Sequence, residues 1–206
     1  LSFSNYHELW QWSVDHIADF WRSILDYFSI QFDGSFSEII SENEMPYVKW
    51  FEGIKLNYAE HVFRNRTDKH PAIISKSESG ELNEMSWQEL TDQTASLQQY
   101  LKSLGVKAGD RVVAFMPCIP EATIAFLSVN SLGGVWSSCS PDFGANAVTE
   151  RFEQIKPKVL ITADGYEYNG KYHDKRQVLE TLMRQIPSIE KVIVLNHANS
   201  TYLPPP

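Results

Sequence analysis

The sequence predicts an α/β protein in which a helical lead-in is followed by a mainly parallel, doubly wound βαβ sheet. Three observations predict it. Apolar residues near the amino end recur at steps of four and three, the spacing of one helix face. Short β-rich runs then alternate with helical stretches over the remainder, the pattern of βαβ units with right-handed crossovers. An apolar content of 43%, with 13% aromatic, gives 206 residues enough material for a real core.

The lead-in occupies residues 1–66. Trp10, Val14, Ile17, Trp21, Ile24 and Phe28 mark one helix over residues 5–28, with Asn5 and Glu8 spaced as a capping box. This stripe reads either as a partner-binding face or, more in keeping with aromatic stripes at helical spacing, as a face docked on its own domain. Residues 29–56 show no sustained period and contain Gly34, Pro46 and Gly53, so they read as an extended connector pinned by Phe32, Phe36, Tyr47, Trp50 and Phe51. Asn57 then caps a helix reaching Arg64.

Residues 67–206 form the α/β part. A hairpin of 72–76 and 81–86, joined through Ser79-Gly80, leads into it. Helix 87–104, strand 111–116, helix 121–132, strand 135–139, helix 145–155, strand 159–162, helix 177–185 and strand 191–195 follow. Gly105 to Asp110 precedes a strand rather than following one, so it reads as a helix C-cap and turn and not as a phosphate loop. The closing Pro204-Pro205-Pro206 and the non-Met start read as the ends of a trimmed or partly ordered chain.

Composition excludes several functions. With 18 Lys and Arg against 26 Asp and Glu the net charge is −8, and no basic run forms a phosphate-tracking stripe, so neither nucleic acid nor an anionic membrane is an expected partner. No apolar run reaches the roughly 20 residues needed to span a bilayer. Cys118 and Cys139 lack CxxC spacing and read as buried, reduced thiols, which fits a cytoplasmic protein. Six histidines form no HxxxH pair and no GxSxG frames a serine, so zinc hydrolysis and serine nucleophilic catalysis have no support. Residue patterns alone leave an α/β module without a catalytic constellation, and a non-catalytic nucleotide- or protein-binding module stays open as a reading.

One stretch carries more. Gly133-Gly134-Val135-Trp136-Ser137-Ser138-Cys139-Ser140-Pro141-Asp142-Phe143-Gly144, followed by residues 150–160, is a strand running into a Ser/Pro/Asp/Gly loop and a new helix. It resembles the signature of acetoacetyl-CoA synthetases in the acyl-adenylate-forming superfamily. Lys49 to Glu60 is similar to the opening segment of acetyl- and acetoacetyl-CoA synthetases, and residues 85–90, 104–112 and 116–122 are similar to superfamily blocks. Acetyl-CoA synthetases carry a Phe-Gly-Gly-Phe-Ser type loop where this chain has Ser140 to Gly144, and that departure points to the acetoacetate branch.

The resemblance implies an incomplete part of an adenylate-forming N-domain. It implies joining of acetoacetate to ATP as an acyl-adenylate, with Mg2+ neutralising phosphate oxygens, then transfer of the acyl group to CoA. Acetate, propionate or another short acid is the neighbouring alternative. It places the ATP-phosphate loop and the mobile C-terminal domain beyond Pro206, so these 206 residues alone are expected to be inactive. It also implies a CoA-phosphate contact in the loop after strand 159–162, where Tyr168 and Lys171 stand in place of two arginines that flank a glycine, here Gly170. Lysine acts on phosphate as a point charge without the arginine fork. Read without the resemblance, this is a surface β-to-α loop. Asp142 likewise reads either as part of a CoA wall or as a helix cap.

Overall fold

The computed structural model describes residues 2–42, 44–78 and 80–197. Ser79, expected in a turn, and the terminal prolines lie outside the described residues. The chain divides into two compact units, one from Leu1 to Asn57 and one beginning at Tyr58.

In the first unit, α1 (Tyr6–Asp15) starts where expected, with Asn5 Oδ1 accepting the Glu8 N–H at 3.0 Å. Glu8 reaches back to the Ser4 N–H, at 2.9 Å, so the reciprocal bond lands one residue early. The single helix expected over 5–28 breaks at His16, whose φ of −124° and ψ of 56° leave the helical region, and α2 (Ile17–Tyr27) follows. Apolar spacing runs on across the break, so periodicity could not show it. Most of the predicted stripe is not the buried side: Trp10, Val14, Ile17, Trp21 and Phe28 remain exposed and Ile24 is half-buried, as are Trp12, Phe20 and Leu25 from outside the stripe. Trp12 meets Phe20 edge-on with ring centroids 6.1 Å apart.

The connector folds into two small antiparallel ladders, β1 (Asp33–Gly34) with β4 (Ile54–Lys55) and β2 (Ile40–Glu42) with β3 (Lys49–Trp50). Gly34 and Gly53 both have positive φ, and a Cβ on Gly34 would sit 2.3 Å from the Gly53 carbonyl oxygen, so that crossing is open to glycine only. Its aromatics pack on one another and on α2: Phe36 against Phe51 at 5.1 Å, and Trp50 against Trp21 at 5.6 Å.

In the second unit α3 (Tyr58–Phe63) buries Ala59 with Leu90, Ile124 and Leu127. β5 (Ile73–Lys76) and β6 (Leu82–Met85) form the expected hairpin. A full capping box at Ser86 and Glu89 opens α4 (Trp87–Ser103). The core is a four-stranded parallel sheet of β7 (Arg111–Phe115), β8 (Val135–Cys139), β9 (Val159–Ala163) and β12 (Lys191–Leu195), in the order β12-β9-β7-β8.

Central strands β7 and β9 are buried on both faces, as their uninterrupted apolar runs require. Val112, Ala114, Val159 and Ile161 face α4 and α5 (Pro120–Ser131), while Val113, Phe115 and Leu160 face α6 (Ala145–Glu153) and α7 (Arg176–Gln185). The sheet is therefore doubly wound, as predicted. At its amino edge the turn after α4 is the helix cap expected there: Gly105 has φ 79° and its N–H returns to Lys102. The Arg111 guanidinium donates to the carbonyls of Ile155 and Lys156 at 2.7 and 3.0 Å, tying the turn after α6 to the start of β7.

Candidate functional site

The topology selects one place on the sheet. From β7 the chain passes through α5 on one face to the edge strand β8, and from β9 it leaves toward α7 on the other face. Since β7 and β9 are neighbours, their outgoing loops diverge to opposite faces, and in open α/β sheets ligands bind in the crevice such a switch opens at the carboxyl ends. On the β7 side Met116, Pro117 and Cys118 lead to α5 and line, with Trp136 and Ser140, a cavity of about 340 Å³. Cys118 is exposed there, against expectation, because it sits in the β7–α5 loop; Cys139 ends β8 and is buried.

On the β9 side the segment read from sequence as a β-to-α loop is a hairpin. β10 (Gly165–Tyr168) pairs with β11 (Lys171–Asp174) through a two-residue turn, Asn169-Gly170, with φ of 51° and 66°. Positive φ at both central residues defines the primed turn that suits a twisted hairpin, and Asn-Gly is its strongest short signal. That dipeptide was the missed clue. All three sequence-predicted residues meet at the tip, with Tyr168 directly opposite Lys171 and Gly170 in the turn between them.

Alternation puts Tyr166, Tyr168, Lys171 and His173 on one hairpin face. Tyr166 stacks on His173 with centroids 5.0 Å apart, and the Lys175 ammonium lies 5.4 Å from the Tyr166 ring centre. Tyr168 is 63% exposed and Lys171 is exposed. The face thus offers aromatic rings beside two cations, a surface able to receive a planar group carrying phosphate. Tyr166, His173 and Lys175 were missed because their partnership depends on the hairpin.

The hairpin is anchored at its base by Asp164, which is fully buried. Its Oδ1 accepts the His197 N–H at 2.8 Å, and its carbonyl accepts the Lys175 N–H at 2.8 Å. The Tyr172 hydroxyl also bonds to Asp164. Burial, then the Asp164 and Asp174 charges, push that phenol from 10.0 up to about 12. The Tyr172 ring is 42% exposed, but its hydroxyl is tucked against Asp164 and Gly165. Asp174, salt-bridged to Arg176, has its carboxyl held below the usual range chiefly by that bond.

A phenol whose folded value lies above its unfolded one stabilises fully below the unfolded value and loses that contribution as pH rises through the folded one. Stability should therefore fall between pH 10 and about 12 in the native chain. Tyr172→Phe should lose about 1 kcal/mol at neutral pH, discounted for the exposed ring, and should flatten that alkaline limb. Urea unfolding at pH 8 and pH 11 measures both.

Asp142 does not cap α6. The N-cap is Gly144 and makes no side-chain capping bond; the Phe143 N–H closes a turn on the Ser140 carbonyl at 3.2 Å, and Asp142 is exposed. The Arg151 guanidinium holds this loop instead, 4.8 Å from the Phe143 ring centre and hydrogen-bonded to the Cys139 thiol, whose pKa burial raises.

Comparison with known proteins agrees with this architecture. The family model for AMP-binding enzymes matches residues 60–203, and the model for the acetyl-coenzyme A synthetase N-terminus matches residues 6–62. The chain belongs to the AMP-binding enzyme family. Within it, the chain is 34% identical to the acetoacetyl-CoA synthetase of Macaca fascicularis over 97% of this chain and 30% of that protein. It is 38% identical to the acetoacetyl-coenzyme A synthetase of Rhizobium meliloti (strain 1021) over 84% of this chain and 26% of that protein. The solved acetoacetyl-CoA synthetase from Streptomyces lividans superposes with a TM-score of 0.95 at 39% identity, covering 98% of this chain and 32% of that one. The chain thus spans about a third of the length of the relatives it matches. Among the described residues no helix is long and apolar enough to cross a membrane.

Proposed function

We propose that these residues form the front part of an ATP-dependent acid–thiol ligase that makes acetoacetyl-CoA. In the first step a carboxylate oxygen of acetoacetate attacks the α-phosphorus of ATP and pyrophosphate leaves. In the second the CoA sulfur attacks the acyl carbonyl, a C–S bond forms and AMP leaves. Mg2+, when bound, neutralises phosphate charge in the first step. What supports the reading is similarity to acetoacetyl-CoA synthetases along nearly the whole chain.

Within that reading the tip of the β10–β11 hairpin is the CoA-phosphate contact. Lys171 supplies a point charge, Tyr168 a hydroxyl or a ring face, and Gly170 the positive-φ turn that brings them opposite each other. The hairpin's place at the switch point favours this role. Free thiols at Cys118 and Cys139 accord with work in a reducing cytoplasm.

Pyrophosphate release by the full natural protein, with ATP, Mg2+ and CoA, tests the assignment. Acetoacetate should be strongly preferred over acetate and propionate, and these 206 residues alone should give no turnover. Preference for acetate or propionate would move the substrate within the family, whereas silence with all three acids would leave a non-catalytic binding module.

A further inference from the structure

The hairpin is a two-stranded sheet with its outer strands largely exposed, and an isolated hairpin is only marginally stable in water. Its base is fixed by Asp164, by the Tyr172 hydroxyl that reaches back to it and by the Asp174–Arg176 pair, all acting at the end opposite the tip. A second anchor acts at the tip itself. Glu78, in the loop between β5 and β6, accepts the Gly170 N–H at 3.0 Å through Oε2, across a separation of 92 residues. The Asn169 N–H, then that of Gly170, holds the Glu78 carboxyl below its usual range, so it stays ionised at neutral pH and can keep both bonds.

In a two-residue primed turn the amides of the central residues point away from the ladder. One exposed carboxylate taking both fixes the tip against rotation and sliding. The residue next to them is Lys171, and the turn places the backbone from which its flexible four-carbon stem starts, so the region its ammonium can reach moves with the turn. Because the Gly170 amide is engaged by Glu78, a phosphate arriving at the tip is met by the side chain of Lys171 rather than by that amide.

We propose that Glu78 is a positioning residue for CoA, clamping the Asn169-Gly170 turn so that Lys171 is presented to a CoA phosphate. The proposal rests on the reading of the hairpin tip as the CoA contact. Glu78 touches no reacting atom, so its loss acts on CoA binding and leaves adenylation alone.

The test is steady-state kinetics of the full natural protein with Glu78→Ala, Glu78→Gln, Lys171→Ala and the double variant Glu78→Ala/Lys171→Ala. Glu78→Ala should raise KM for CoA about fivefold, while KM for ATP and for the acid and the rate of pyrophosphate release stay at the native values. Glu78→Gln keeps an accepting oxygen and should recover part of the loss. The double variant should be no worse than Lys171→Ala alone, because the clamp works through that lysine.

An unchanged KM for CoA in Glu78→Ala, beside a raised one in Lys171→Ala, would overturn the clamp and leave the CoA reading standing. Additive losses in the double variant would overturn it equally. If Lys171→Ala leaves KM for CoA unchanged, the reading of the tip as the CoA contact falls, and this proposal falls with it. Equal loss of adenylation and thiol transfer in Glu78→Ala would make the contact merely structural.

Discussion

Phe152→Ala is expected to destabilise the second unit by about 3–5 kcal/mol. Phe152 is wholly buried near the end of α6, in the cluster of Val113, Phe115, Val148, Leu160, Leu179 and Leu182 between the sheet and its two helices. Truncation removes a ring from among side chains that are themselves buried. The Phe152 carbonyl also accepts the Ile155 and Lys156 N–H groups, so the turn that feeds β9 is built on the same residue. Domains of this kind are held by only about 5–15 kcal/mol, so a loss of this size takes a large share. Urea unfolding should show a lower midpoint with little change in slope. Tyr27→Ala, at a position 82% exposed, is the control and should stay within about 0.5 kcal/mol.

Gly165→Ala is expected to cost about 3 kcal/mol and to loosen the hairpin from its base. A Cβ there would lie 2.1 Å from the Tyr172 hydroxyl oxygen and 2.6 Å from the His173 carbonyl oxygen. The tyrosine could swing aside, but the carbonyl belongs to the paired strand and moves only if the hairpin does. Either response takes the phenol from Asp164, leaving a buried carboxylate with one donor fewer. Spectroscopic titration should find the Tyr172 phenol falling from about 12 back toward 10. An unshifted phenol with native stability would show that the hairpin accommodates the methyl group.

The sheet was legible because β7, β9 and β12 are largely apolar runs and Asp110, Gly134, Pro157 and Asp164 stand at or near strand ends. Val135–Cys139 and Lys191–Leu195 fall where the sequence reading put them, and β7, β9 and the helices around them differ by a residue or two. The candidate site was legible only in part. Tyr168, Gly170 and Lys171 were proposed from the resemblance, but their meeting at a tip depends on a hairpin whose strands, Gly-Tyr-Glu-Tyr and Lys-Tyr-His-Asp, carry no apolar alternation. Glu78 could not be found at all, since nothing local ties a loop glutamate to a turn 92 residues away. Asp142 misled for the opposite reason: a cap-type residue stood near a helix start, but the backbone turn ahead of α6 put Gly144 at the cap.

The strand order has a consequence for how the protein is made. β7 lies between β8 and β9, and both follow it in the chain. A ribosome therefore releases the central strand before either neighbour exists. β8 can close one edge as soon as α5 has formed, but the other stays open until β9 emerges behind α6. During that interval Val112-Val113-Ala114-Phe115, uncharged and rich in strand formers, displays a bare row of amides and carbonyls to any other nascent copy. A strand buried on both sides in the finished molecule is thus one that newly synthesised chains must protect while they emerge.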